Sequence, residues 1–342
     1  LAFARLERRH GDTWWEELDL GVSYQYLLED FHRVRSDSRQ QIRRNQIETV
    51  AVNLRLSSPT DFGRFTYGVD YSHDRVHSNG RDISAAGVVT ERIQGDVADD
   101  ANYDMTGVYL QHELPLGDDF ELFTGLRYDY AALDADAVNF SGTKGTLKGD
   151  WDAVTASGRL LYYALPDHRL SLFVGVSQGF RAPNLSDTTR DGEFGGGTEV
   201  PTTGLDPEYY TTYEAGARSQ GQWGRASLTY YYTEIRDQIA RLSAPTASKR
   251  NLDHGYVHGI EARTDFKLTE DLTFLGNLAW QEGEEETYFN NDTREGLVAR
   301  PLSRMNPLTS NLGLRLQPPA AHWWVEVDAE LARRQDKLSY ND

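Results

Sequence analysis

The sequence predicts an all-β fold, a transmembrane antiparallel up-and-down β-barrel. Three observations predict it: apolar and polar side chains alternate with a period of two, connections alternate between short and long, and aromatic residues gather near strand ends. Successive side chains of a strand point to opposite sides, so one face of such a segment can meet lipid while the other meets water.

The alternation recurs along the chain. Over 120–130, Phe120, Leu122, Leu126, Tyr128 and Tyr130 share one face against Glu121, Arg127 and Asp129. Over 152–164, Val154, Ala156, Leu160 and Tyr162 oppose Thr155, Ser157 and Arg159. Over 256–268, Tyr256, His258, Ile260, Ala262, Thr264, Phe266 and Leu268 oppose Gly259, Glu261, Arg263, Asp265 and Lys267. Over 322–331, Trp323, Val325, Val327, Ala329 and Leu331 oppose Trp324, Glu326, Asp328 and Glu330. Helical spacing accounts for none of these as well.

Short links rich in Pro, Gly, Asp or Ser, the residues of tight turns, are expected near Ser57–Gly63, Pro115–Asp119, Pro166–Arg169, Gln220–Trp223, Thr269–Asp271 and Pro318–Ala321. Long polar links are expected near His73–Asp104, Leu133–Trp151, Ala182–Glu208, Gln238–Gly255 and Glu284–Asn306. Short turns on one rim and long loops on the other describe an outer-membrane barrel with short periplasmic turns and long extracellular loops. The count is about fourteen strands, the first descending and the last ascending near Leu331. A soluble propeller would repeat its blades, and no blade motif recurs. A soluble sandwich could share the alternation, but aromatics near strand ends (Tyr162-Tyr163, Tyr209-Tyr210, Tyr230-Tyr231-Tyr232, Trp280, Trp323-Trp324) suit the headgroup region of a bilayer.

Composition narrows the alternatives. The longest uncharged apolar stretch is Leu160–Pro166, well short of the roughly 18 residues that a spanning helix needs. A net charge of -18 argues against a nucleic-acid partner. The chain has no Cys, which removes disulfides, thiolate metal sites and Cys nucleophiles. No Gly-x-Ser-x-Gly, His-Glu-x-x-His or phosphate loop is present, so no enzyme is expected, and neither a cofactor nor a metal site. Leu1 to Arg9 is amphipathic and basic, with no apolar signal region after it.

Four landmarks in order then suggest a family. Gly179-Phe180-Arg181-Ala182-Pro183-Asn184-Leu185 resembles the Phe-Arg-Ala-Pro box of TonB-dependent receptors. Gly204-Leu205-Asp206-Pro207-Glu208 followed by Tyr213-Glu214-Ala215-Gly216-Ala217-Arg218 is similar to the family's second box, with its first Asn-Pro replaced around Thr202–Gly204. His258-Gly259-Ile260-Glu261 resembles a Gly-(Val/Ile)-Glu strand. Arg300-Pro301-Leu302 and Arg304-Met305-Asn306-Pro307, ahead of Leu312-Gly313-Leu314-Arg315, resemble the family's late loop and strand.

The resemblance implies a barrel of about 22 strands, of which residues 1–342 would be a partial barrel lacking the N-terminal plug and the last strands. It implies a cell outer-membrane location in contact with lipid, and coupling to the TonB complex through the absent plug. Uptake of a bulky scarce nutrient follows, with an iron–siderophore complex expected and haem or cobalamin as alternatives. A passive porin or surface adhesin is the alternative of another class.

The box residues Phe180, Arg181, Ala182, Pro183, Leu205, Pro207, Glu208, Tyr213 and Glu214 are read as structural, because a box shared by receptors of different ligands does not encode one ligand. Pro183 ends its strand and Arg181 pairs with a loop carboxylate in this reading; direct ligand contact is the alternative. Arg190, Glu193 and Phe194, between the boxes, are candidate ligand contacts. His73, His77 and His254 are further candidates in other predicted loops, with ordinary loop polarity as the alternative. Haem receptors of the family carry a His between the boxes. None lies between Pro183 and Gly204, so haem is not expected to bind through Ala182–Glu208. The acidic lumen face (Glu261, Asp265, Glu326, Asp328, Glu330, with Arg263 and Arg315) is read as a solvated wall cross-linked by ion pairs, with guidance of a cationic ligand as the alternative.

Overall fold

The computed structural model describes residues 1–9, 14–138, 143–194, 197–242, 246–290 and 295–337. The final Ser339-Tyr340-Asn341-Asp342 lies outside the described residues. In order come β1 (Ala2–Arg9), β2 (Glu17–Val34), β3 (Gln40–Thr60), β4 (Gly63–Ile83), β5 (Val89–Glu91), β6 (Asp99–Leu116), β7 (Phe120–Val138), β8 (Lys144–Tyr163) and β9 (Leu170–Arg181). A short helix, α1 (Leu185–Thr189), precedes β10 (Gly192–Phe194) and β11 (Gly197–Glu199). Then follow β12 (Glu208–Gly221), β13 (Gly224–Leu242), β14 (Thr246–Lys267), β15 (Leu272–Asn290), β16 (Glu295–Pro301), β17 (Thr309–Leu316) and β18 (Val325–Ala332).

Among the described residues, β5, β10, β11 and β16 sit in connections and the other fourteen strands form the wall, the number that the turn pattern predicts. Each wall strand pairs antiparallel with the next in sequence, for example β8 with β9, β9 with β12, and β12 with β13. Among the described residues no ladder joins β1 to β18, and the sheet has two edges.

The two faces separate as the alternation requires. Outward residues stand exposed: Leu126 at 55%, Val154 at 62%, Val174 at 56%, Leu228 at 53% and Val327 at 70%. So much bare apolar surface is stable only against lipid or another apolar body. The inward face carries ion pairs instead, Arg127 with Asp70 and Asp129, Arg159 with Glu214, Arg225 with Asp265, and Arg315 with Glu326. Phe173, also inward, lies under the guanidinium groups of Arg159 and Arg218 at 5.1 and 5.3 Å. Two short turns need glycine. Gly63 and Gly224 have φ of 104° and 134°, and a Cβ on either would lie 2.0 or 1.9 Å from the carbonyl oxygen of Glu113 or Asp265.

The long links are the main correction. Apart from residues 182–207, most of each predicted long link is paired strand. β4 runs to Ile83, β7 to Val138, β13 to Leu242 and β15 to Asn290, with β14 reaching 22 residues. A tilted spanning strand needs only about 9–11 residues, so these hairpins project beyond the bilayer. Beyond the lipid both faces are wetted, the apolar alternation lapses, and the segment reads as loop, while the backbone still satisfies its N–H and C=O groups by pairing. His73 and His77 therefore lie in β4 and His254 in β14, not in loops. The connection 35–39 between β2 and β3 on the outer rim is also short, which the turn pattern missed.

One buried cluster sits at the extracellular end, formed by Val76, Ala98, Ala101, Tyr103, Ala131, Leu133, Ala135, Ala137 and Ala182. Alternate alanines of β7 leave a low surface on its inward side. Leu185 of α1, Val97 and Phe180 pack against it.

Candidate functional site

The site is the mouth formed by residues 182–207 and the hairpins around them. The β9–β12 ladder ends at Arg181 opposite Glu208. Pro183 lacks an N–H and is almost fully buried, so the ladder cannot continue and the chain turns inward. Both ends of the loop are clamped: the Tyr103 hydroxyl donates to the Pro183 carbonyl at 3.1 Å, and Trp151 Nε1 donates to the Leu205 carbonyl at 2.9 Å.

α1 begins with a capping box. The Asp187 N–H donates to Asn184 Oδ1 at 2.9 Å, and the Asn184 N–H donates to Asp187 Oδ2 at 3.1 Å. Its last turn is buried against the β5–β6 connection. The Ala98 N–H donates to Thr189 Oγ1 at 2.9 Å, and Gln94 Nε2 donates to the Thr189 carbonyl at 2.7 Å. Arg92 pairs with Asp191 across the same seam.

A chain of alternating charges holds the loop to the β13–β14 hairpin. Arg181 Nε donates to Glu208 Oε2 at 2.5 Å and Arg181 Nη1 to Asp187 Oδ2 at 2.7 Å. Lys249 Nζ donates to Asp187 Oδ1 and to the Ser186 carbonyl, both at 2.8 Å. Beyond Lys249 lies Glu199, whose oxygens stand 3.9 Å from Lys249 Nζ, 3.4 Å from Arg190 Nε and 3.7 Å from Arg241 Nη1. Glu208 also accepts from the Tyr210 hydroxyl at 2.5 Å and from the Ile239 N–H at 2.7 Å.

Burial would raise the Asp187 and Glu208 carboxyls, but the hydrogen bonds outweigh it. Lys249, Arg181 and the Asn184 N–H hold Asp187 below its ordinary value; Arg181, Tyr210 and the Ile239 N–H do the same for Glu208. Burial pushes the Tyr103 and Tyr210 hydroxyls up to about 12, so both stay neutral donors at physiological pH.

The predicted box residues fall into two groups. Phe180, Arg181, Ala182, Pro183, Leu205, Pro207 and Glu208 come together at the loop's base, with Ala182, Pro183, Leu205, Pro207 and Glu208 buried. Tyr213 and Glu214 lie further down β12: Tyr213 is exposed on the outward face, and Glu214 faces inward to Arg159. Arg190 joins the mouth. Glu193 and Phe194 lie in β10, paired with β11, and their side chains lie outside the described residues. His73 shares the outward face of β4 with Tyr71, and both contact Asp104, at 2.9 and 2.7 Å. His77 stands 3.9 Å from Asp99, and His254 is exposed. Among the described residues no group of three His, Asp or Glu side chains is arranged to hold a metal ion.

Sequence reasoning missed Asp187, Glu199, Arg241 and Lys249. The Asn184-x-x-Asp187 spacing was a legible capping signal for the first. Glu199 lies within the loop but carries no local signal, and Arg241 and Lys249 are joined to the loop only by the fold.

A sequence model of the family described as TonB-dependent receptor-like, β-barrel, matches residues 2–341. The chain belongs to the TonB-dependent receptor family. Heme/hemopexin utilization protein C of Haemophilus influenzae (strain 86-028NP) is 26% identical over 277 residues, which cover 70% of this chain and 36% of that protein. Among solved structures, the copper transporter OprC is similar with a TM-score of 0.79 at 18% identity, over 98% of this chain and 52% of OprC. The siderophore receptor PiuA from Acinetobacter baumannii gives 0.70 at 17% identity, over 92% of this chain and 51% of PiuA. At these identities the structural likeness speaks to fold. The chain spans about a third of that curated relative and about half of those solved chains. As a TonB-dependent receptor barrel, it is an outer-membrane protein of a family of receptors and transporters, not of enzymes.

Proposed function

We propose that this chain forms the wall and mouth of a receptor that takes up an iron–siderophore complex across the outer membrane with energy from TonB. In this reading a plug inside the barrel couples it to TonB, and further strands join β1 to β18. The box residues act structurally, holding the mouth in shape. Family membership supports active uptake over a passive porin or an adhesin.

The observation that carries the ligand class is the chemistry of the mouth. Residues 182–207 contain no His, and the charge chain along them is built of guanidinium, ammonium, carboxylate and hydroxyl groups, beside the apolar cluster that Phe180 and Leu185 join. Haem ligation through this loop would need an axial donor such as imidazole. His73, on the outward face, is turned away from the lumen. The inward ion pairs support the wall's reading as a cross-linked, solvated surface. Haem is the second reading, favoured by the relative named for heme and hemopexin utilization.

Titrating the full-length receptor in detergent with a ferric siderophore and with haem tests this. Saturable quenching of tryptophan fluorescence by the ferric siderophore is expected. A shifted haem Soret band that disappears on deletion of residues 182–207 would overturn it.

A further inference from the structure

Below the mouth the wall parts at one join. β7 and β8 stay paired out to Val138 and Lys144, and β9 and β12 out to Arg181 and Glu208. Between these two ribbons the β8–β9 ladder stops at Ser157 opposite Ser177. One step further the Gln178 side chain stands in for a rung, its Oε1 accepting from the Ala156 N–H at 3.1 Å. A cavity of about 730 Å³ lies where the ribbons diverge, and small-molecule sites run from about 300 to 1,000 Å³. Thr155 and Gln178 line it at the join, Leu185 and Ser186 of α1 above, and Arg127 and Asp129 below.

Both cations in this lining are already closed. Arg127 donates to Asp70 at 2.9 Å and to Asp129 at 2.8 Å, and Arg181 is held by Glu208 and Asp187. The remaining carboxylate, Asp74, accepts from the Thr49 hydroxyl at 2.6 Å. An anionic group would find no open cation here among the described residues. The surface on offer is apolar instead. Ile47, opposite Val76, and Met105, opposite Ser72 and Ala131, lie on the inward face, and Met105 is 43% exposed there. Phe180 and Leu185 complete the apolar side. A phenyl ring and a thioether both make favourable contacts with aromatic groups.

We propose that this cavity is a subsite for an uncharged aromatic ring carried by the incoming ligand, seated against Ile47, Met105, Phe180 and Leu185. Covering these side chains removes apolar surface from water and requires no ion pair to open. The inference rests on the uptake reading and narrows it to ligands with such a ring, on an iron chelate or as the porphyrin of haem.

The test uses the full-length receptor in detergent and has two arms. In the first, methionine methyl groups carry carbon-13, and Met105→Leu assigns the Met105 signal. Benzamide, a small uncharged ring, should shift that signal and leave Met305, which does not line the cavity, in place. In the second, the probes are haem and a ferric trihydroxamate whose terminal amine carries either an acetyl or a benzoyl group. The benzoyl chelate should bind wild type about 10-fold more tightly than the acetyl chelate. Ile47→Gln/Met105→Gln should remove that gain and leave the acetyl chelate unchanged, with heat-modifiable gel migration reporting an intact barrel. Weakening of haem alone by the double variant also supports the subsite, identifies the ring as a porphyrin and moves the uptake reading to haem. A Met105 signal that does not respond to benzamide overturns the subsite, as it would if a plug apex filled the cavity. So does equal affinity for the two chelates with haem unaffected, or equal weakening of both chelates by the double variant; the uptake reading then stands. If neither chelate nor haem binds the wild type, the uptake reading fails and the subsite fails with it.

Discussion

A receptor carrying Glu208→Ala should insert its barrel normally and lose the ordered mouth. The Glu208 side chain is 4% exposed and accepts from Arg181, Tyr210 and the Ile239 N–H. Removing one partner of a buried pair costs about 3–5 kcal/mol, because the other charge stays without compensation. Arg181 keeps Asp187, which places the cost at the lower end. Ile239 loses its side-chain acceptor and Tyr210 its partner, while the membrane-spanning ladder is untouched. The expected readout is roughly 100-fold faster tryptic cleavage within 182–207. Glu208→Gln keeps an acceptor for Ile239 and loses only the charge, so its cleavage should fall between wild type and alanine. Unchanged protection in the alanine variant would mean that Tyr103, Trp151 and the α1 contacts hold the loop without the charge chain.

Acid should release the same loop. The Asp187 and Glu208 carboxyls lie lower in the closed mouth than in a released loop. The released state therefore binds protons first as the pH falls. The stabilisation is complete above the ordinary carboxylate value of about 4 and is lost as the pH drops below it through the two folded-state values. Arg181 stays charged throughout and, once both carboxyls are protonated, has no anionic partner in the chain described above. Hydrogen exchange of peptides covering 182–207, corrected for the intrinsic pH dependence, should show protection that is flat above that value and collapses below it. Protection that stays flat into strong acid would contradict the account of these two carboxylates.

The wall was legible in the sequence because a spanning strand must alternate. Lipid demands apolar side chains at Val154, Val174 and Leu228, while the lumen tolerates Arg159, Glu214 and Arg263. The short turns were legible because Gly63 and Gly224 adopt backbone conformations that disfavour other residues. The projecting hairpins were not: once both faces of a ribbon are wetted, Asp134, Asp136, Lys144 and Lys148 read as loop although their backbones are paired. His73 and His77 were misplaced for the same reason. Within the mouth, Arg181 and Glu208 could be found because they sit in boxes with a recognisable order. Lys249 and Arg241 lie on a different hairpin, and no local pattern announces that Lys249 meets Asp187, 62 positions away. The alanines of β7 show their use only when α1 is seen resting on them.

The central claim is that the alternation separates a lipid face from a water face. The chain contains no Cys, so single cysteines can be introduced and spin-labelled in the full-length receptor reconstituted into bilayers. Labels at Val174→Cys and Leu228→Cys should collide with dissolved oxygen and be shielded from a water-soluble nickel chelate. Labels at the inward neighbours Ser157→Cys and Thr229→Cys should show the opposite preference. If the nickel chelate reaches residues 174 and 228 as readily as 157 and 229, the outward face is not in lipid, and the barrel account is wrong.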